Sequence, residues 1–294
     1  MICKRYLQFL FNTTLFILLL TNLSCEKFSG DQEVPVYLRV DSIYLTTDYS
    51  TQGSASESIT DVWAYVDENI VGAFEMPAKF PVLKEGKHRV TFLAGIKKNG
   101  IATTRVSYPF YAPIEMTMDL VPDSTMSVGK LHATYLSSTV FNLKEDFESA
   151  GISLDTTPRS LVNINRTPVG SPLTFEGNHS GMIVLDSAFD FFEIVTHDAY
   201  NIPFAPVYVE LNFNSNNNIT LGAVLYVNNI IYQIPIISLV PTENKWKKIY
   251  IDLTNTLNGY PGAKGFKVFL ENFKNKEVSQ ALILLDNLKI VTRK

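Results

Sequence analysis

The chain has 294 residues, 46% of them hydrophobic and 18% charged, with a formal net charge of −4. That length accommodates one large domain or two ordinary ones, and an acidic balance with no basic patch argues against nucleic acid as a partner. The chain is rich in Val, Ile, Thr, Phe, Tyr and Asn, with ordinary Gly and Pro, a mix that favours strands and polar turns over helices. No heptad, low-complexity tract or fixed-period repeat is present.

Lys4 and Arg5 precede a mostly apolar run that includes Leu15 to Leu20 and is interrupted by Asn12, Thr13 and Thr14. The unbroken apolar part is too short to span about 30 Å of hydrocarbon as a helix. A basic start, a short apolar core and small residues before a cut describe a signal peptide over residues 1–24. Leu23-Ser24-Cys25 resembles a bacterial lipobox, which implies acylation of Cys25, although Asn22 departs from the pattern. The alternatives are an ordinary signal with a chance Cys, and a transmembrane anchor. The chain has two cysteines, Cys3 and Cys25. Loss of Cys3 with the signal leaves Cys25 alone, so no internal disulfide can form. Lipid on Cys25 would hold the protein on a membrane, and the outer membrane is the expected location, on its cell-surface or periplasmic face. Residues 25–35, polar and punctuated by Gly30 and Pro35, read as a tether. Their acids resemble the surface-export signals of Bacteroidota-type lipoproteins, with a plain solvated linker as the alternative.

Residues 36–138 carry short strand patterns separated by turn signals. Val36 to Thr46 alternates, Thr60 to Val66 and Ile70 to Glu75 form a hairpin over Asp67 to Asn69, and His88 to Ala94 is a further strand. Pro77 and Pro81 forbid a central strand between them. Trp63, Tyr65, Phe74 and Phe92 are the expected core. The order Y-V-D-x-x-x-V-G followed by P-x-x-F-P-x-L-x-x-G-x-H-x-V resembles small immunoglobulin-like or PEGA-like modules of exported bacterial proteins, which space, stack or bind other proteins. His88 has no second metal-type ligand near it in sequence and is read as structural or exposed. Pro122 to Gly129 is the candidate boundary, and the division falls near Thr139.

Residues 139–294 hold a second strand series: Val207 to Asn214, Ile219 to Val227, Ile230 to Ile237 with a turn at Asn228-Asn229, Lys245 to Leu253, Gly265 to Glu271 and Leu282 to Val291. D-F-E at Asp146, S-G-x-x-V-L at Ser180, W-x-K-I-Y-I-D-L at Trp246 and L-L-D-N-L-K-I-V at Leu284 follow in order. The set is similar to galactose-binding-like jelly rolls, the fold of many carbohydrate-binding modules. An all-β protein is therefore expected, a small β-sandwich followed by a larger jelly-roll β-sandwich. The resemblance implies that the last strand pairs with the opening one, and that a structural calcium ion is held by Glu148 and Asp286 with Asp146 as a third ligand. A strand-edge turn at Asp286-Asn287 is the alternative.

Sugar sites combine flat aromatic faces with polar side chains. Tyr208 with Glu210 and Asn212 shares one face of a strand, and Tyr260 beside Gly259 sits in a loop at its rim; these are the expected ligand contacts. Tyr200, Tyr226, Tyr232 and Trp246 are further candidates, with Trp246 assigned to the core. Nothing marks a catalyst: G-x-S-x-G, H-E-x-x-H and a phosphate-cradling loop are missing from the sequence. His179 and His197 lie in loop regions, and Glu145 and Asp146 would face opposite ways on a strand. Asp41, Asp123, Asp155 and Asp186 each open an Asp-Ser or Asp-Thr triplet that resembles an O-glycosylation site, with turn formation as the alternative. The expected protein is a lipid-anchored, non-enzymatic envelope component that binds a glycan through its second domain, or a structural or adhesive one whose partner is another envelope protein.

Overall fold

The computed structural model describes Tyr6 and residues 33–228 and 230–294. The signal segment, Cys25 and the tether up to Gln32 lie outside the described residues, Tyr6 excepted. No helix among the described residues is long and apolar enough to cross a membrane.

The first half contains β1 (Val36–Leu45), α1 (Tyr49–Gln52), β2 (Ile59–Val66), β3 (Asn69–Glu75), β4 (Ala78–Val82), β5 (Gly86–Lys97), β6 (Arg105–Ser107), β7 (Ile114–Leu120) and β8 (Thr125–Ala133). One sheet runs β4-β1-β8; the other runs β3-β2-β5-β6 with β7 also on β5. Side chains alternate faces along a strand, so Val36, Leu38 and Val40 of β1 point inward against Val62, Ala64, Val90 and Phe92. That alternation corrects part of the expected core. Phe92 is buried and Phe74 packs on the cluster beside Phe80. Trp63 and Tyr65 occupy the opposite face of β2 and are half-buried. β4 includes Pro81 at the sheet edge, where a missing N–H costs no ladder bond.

The second half contains β9 (Thr139–Glu145), β10 (Leu154–Thr156), β11 (Asn165–Arg166), β12 (Gly181–Leu185), β13 (Phe191–Thr196), β14 (Tyr208–Ser215), β15 (Ile219–Val227), β16 (Ile230–Leu239), β17 (Lys247–Asp252), α2 (Thr254–Asn258), β18 (Ala263–Phe273) and β19 (Ala281–Arg293). They form a jelly-roll sandwich. One sheet runs β11-β12-β19-β14-β17, with β9 also on β19; the other runs β10-β13-β18-β15-β16. The closing strand pairs with the opening one, Leu288 opposite Glu145 and Arg293 opposite Thr139. Val209, Leu211, Ile251, Ile283, Val268 and Leu270 meet between the sheets.

The two sandwiches share apolar packing. Tyr208, Tyr250 and Val291, on the outer face of the β19-β14-β17 sheet, belong to the same buried cluster as Phe110, Tyr111 and Tyr135 of the first half. That contact leaves β14 buried on both faces.

Candidate functional site

Tyr208, Glu210 and Asn212 do share a face of β14, as the alternation requires. The face is closed: the three residues are at most 4% exposed. Tyr208 meets Tyr108 and Phe110 edge-on, with ring centroids 5.4 and 5.8 Å away. The Tyr108 and Tyr135 hydroxyls each donate to Glu210 Oε1 at 2.8 Å. Lys248 Nζ lies 3.2 Å from Glu210 Oε2, and Lys289 Nζ donates to the Ser54 carbonyl at 2.7 Å. Asn212 Nδ2 donates to Ser56 Oγ at 2.8 Å. Burial pushes the Glu210 carboxyl up, but Lys248, Lys289 and the two hydroxyls outweigh it and hold it below the usual range. Burial pushes Lys289 down to about 8, against the pull of Glu210. This face therefore fastens one sandwich to the other, which corrects its assignment as an open ligand surface.

The proposed calcium ligands also go separate ways. Asp146 accepts from the Tyr49 hydroxyl and the Glu148 amide. Glu148 accepts from the amides of Asn178 and His179, closing the turn at Gly177. Asp286 accepts from Ser180 Oγ and the Asn287 amide, and burial pushes its carboxyl up to about 7. Among the described residues no three His, Cys, Asp or Glu side chains gather as a metal site would need. Each of the three expected ligands is instead engaged by a different hydroxyl or backbone amide. The histidines take local partners: His88 bonds Asp67 and the Glu85 carbonyl, His197 bonds Asp155, and His179 bonds the Thr167 carbonyl.

The open surface is the outer face of the other sheet. Cross-strand pairing places Phe191 opposite Phe273 and Glu193 opposite Glu271, with Gly222 opposite Phe269. Gln233 on β16 donates to Glu193 Oε1 on β13 at 2.7 Å and to Glu271 Oε2 at 3.1 Å. Strands lie about 4.8 Å apart, so β16 and β13 would be separated by about 14 Å in a flat sheet; the contact requires the sheet to curl over Phe269. A register shift between Leu221 and Gly222 marks the bend. Gly222 is required there, since a Cβ would meet the Ile234 carbonyl oxygen at 2.3 Å and the Phe269 ring at 2.4 Å.

Arg159 completes this cluster. Its Nη1 donates to Glu193 Oε1 at 2.9 Å and to Gln233 Oε1 at 3.2 Å, and the guanidinium lies 5.4 Å from the Phe191 ring centroid. Burial and the neighbouring Glu193 push the Glu271 carboxyl up. Phe191 and Phe273 rings sit 4.6 Å apart, and Phe273 is 61% exposed. Tyr226 lies half-buried on the same face. The surface thus offers the Arg159, Gln233 and Glu271 side chains, held from beneath by the buried Glu193, beside one exposed aromatic ring, Phe273, with Phe191 buried against it. Sequence reasoning missed it because Arg159, Glu193, Gln233 and Glu271 are far apart in the chain. The alternation in β13 and β18 was the available signal. Tyr260 sits elsewhere, at the rim of the sandwich, its ring 5.5 Å from that of Tyr232. Trp246 is half-buried and pairs with Phe175 at 5.2 Å.

No family model matches the chain, and no curated protein matches it. Solved structures that resemble it are carbohydrate-binding modules with a β-sandwich jelly-roll fold. One is the C-terminal family 22 module of Clostridium thermocellum Xyn10B, at 10% identity and TM-score 0.37, covering 52% of this chain and 94% of that one. Another is a module of the β-sandwich superfamily, at 12% identity and TM-score 0.38, covering 79% of this chain and 84% of that one. A family 29 module matches at 7% identity and TM-score 0.33, covering 52% of this chain and 85% of that one.

Proposed function

We propose that this chain is a non-enzymatic, lipid-anchored envelope protein whose second sandwich binds a glycan on its curled outer face. The observation that carries the reading is the cluster of Arg159, Glu193, Gln233 and Glu271 set beside the exposed Phe273 ring. Sugars present hydroxyl rows and apolar C–H faces at once. Planar guanidinium, amide and carboxylate groups match the first, and aromatic rings match the second. An already hydrogen-bonded cluster is pre-organised, so little side-chain entropy is lost when a ligand docks. The first sandwich serves as the spacer between membrane and binding face, and its buried contact with β14 aims that face away from the seam. A glycan array probed with the Cys25→Ala protein, with and without Arg159→Ala, tests the site. Retention of the same glycans by both proteins would remove it.

The anchor rests on Cys25. Palmitate labelling and detergent partitioning of wild type, both lost in Cys25→Ala, are the expected outcomes; an unlabelled, soluble wild type would end this part of the account. A protein partner is favoured by one observation. β16 is a sheet edge carrying exposed Ile230 and Ile231, and no charged residue occurs from Ile219 to Leu239. Pro235 and the register shift opposite it guard the middle of that edge, which leaves the Ile230–Ile231 end to meet a strand from another chain. Capture of an envelope protein that depends on Ile231 would support that alternative.

A further inference from the structure

Three buried polar side chains meet where β14 and β17 pair beneath the first sandwich. Asn212 on β14 stands directly opposite Lys248 on β17, and Glu210, two residues along β14, stands opposite Tyr250. Residues two apart share a face of a strand, so all of them point the same way. The Lys248 side chain is 2% exposed and that of Glu210 0%; Asn212 is equally enclosed. Lys248 Nζ lies 3.2 Å from Glu210 Oε2 and 5.9 Å from the Tyr250 ring centroid. The Tyr108 and Tyr135 hydroxyls close the other side of the carboxylate.

The trio brings together a nucleophile, an acyl group and a base. Lys248 Nζ has its anion within reach but no aligned hydrogen bond, and Asn212 Oδ1 has no hydrogen-bond partner. Asn212 Nδ2 donates to Ser56 Oγ at 2.8 Å, which fixes the amide plane. Cβ atoms of directly opposite residues lie about 4.5–5.5 Å apart, a gap that an amide bridge from lysine to asparagine spans. Glu210 is near enough to Lys248 to take a proton, and its neighbours hold its carboxyl below the usual range, so it is ionised and able to accept one. Lys289 draws on the same carboxylate. Two ammonium groups competing for one anion, away from water, favour loss of a proton from one of them, and a buried neutral amine is a competent nucleophile.

We propose that Lys248 and Asn212 become joined by an intramolecular amide bond, formed by the folded protein itself with Glu210 as the catalytic base. Glu210 takes a proton from Lys248 Nζ. The amine lone pair attacks Asn212 Cγ, a C–N bond forms and the carbonyl electrons move onto Oδ1. As the carbonyl is restored, the bond from Cγ to Nδ2 breaks. The leaving nitrogen takes the proton held by Glu210 and the proton shed by the new amide, and departs as ammonia. Nothing is oxidised or reduced, and no co-reactant is needed. The product ties β14 to β17 covalently in the sheet on which the first sandwich sits. It is independent of where a glycan binds.

The test is mass spectrometry of the Cys25→Ala chain, incubated at neutral pH until its mass is constant and then denatured, with a proteolytic digest of the same sample. Lys248→Arg keeps a cation beside Glu210 but removes the nucleophile, and Asn212→Ala removes the acyl group; circular dichroism verifies folding of all three proteins. The expected result is a parent lighter than its sequence by one ammonia, a digest containing the β14 and β17 peptides joined through Asn212 and Lys248, and both variants at their sequence masses. A folded parent at its full sequence mass would overturn the proposal. So would an ammonia loss that persists in Lys248→Arg, which would assign it to cyclisation of an asparagine on its own backbone.

Discussion

Replacing Glu210 by Gln removes one negative charge from a fully buried site with almost no change of shape. In the native protein that carboxylate faces Lys248 at 3.2 Å, accepts from Tyr108 and Tyr135, and draws on Lys289. The glutamine leaves two ammonium groups in the seam without their anion. Breaking a buried pair by removing one partner costs about 3–5 kcal/mol. Tyr108 and Tyr135 keep an acceptor in the amide oxygen, which places the expected loss near 3 kcal/mol. For a protein of this size that corresponds to roughly 6–12 °C in melting temperature. Because the cluster joins the sandwiches, its loss should also separate their unfolding. The assay is denaturant and thermal unfolding of the Cys25→Ala chain, followed by near-ultraviolet signals from Trp63 and Trp246, one in each sandwich. A loss below about 1 kcal/mol, typical of exposed pairs, would refute the claim that this buried cluster fastens the halves.

The pH dependence of stability gives another check. The Asp286 carboxyl is raised from 3.8 to about 7 by burial; the folded state holds that proton where the unfolded state has released it, so stability falls as pH rises between about 4 and 7. Asp286→Asn should flatten that part of the profile, and an unaltered slope would contradict the assignment. Gly222→Ala should cost about 1–3 kcal/mol in chemical denaturation, because its methyl meets the Ile234 backbone and the Phe269 ring; a neutral result would show that the bend is not built as described. Arg159→Ala and Phe273→Ala should each weaken glycan retention about tenfold; Phe273→Ala should shift the melting temperature little, since Phe273 is 61% exposed, whereas Arg159→Ala should also lower it, because it removes the cation paired with the buried Glu193; retention at the wild-type level would deny them contact.

Much of the strand plan was legible because period-two patterning and turn residues are local properties. The hairpins at Asp67 and Asn228 and the pairing of the last strand with β9 follow from residues close together or from chain order. β2 shows where local reasoning fails. Val62, Ala64 and Val66 alternate with Trp63 and Tyr65, and both sets are apolar, so aromatic weight pointed to the wrong face. β14 failed for another reason. Glu210 and Asn212 look like solvent-facing groups until a second body covers them, and nothing within eight residues of sequence announces Tyr108 or Tyr135 overhead. The carboxylates expected to meet at a cation are near one another in topology, yet each is already taken by a backbone amide or a hydroxyl. The Arg159 cluster depends on sheet curl, which a register shift at Gly222 sets and strand patterning does not reveal.

The most direct measurement of the central claim is hydrogen–deuterium exchange of the Cys25→Ala chain, free and saturated with the polysaccharide it retains most strongly. The account predicts added protection over Thr157 to Ser160, β13, β18 and the middle of β16, with β14 unchanged beneath the first sandwich. Protection absent from those segments, or confined to the first sandwich, would contradict it.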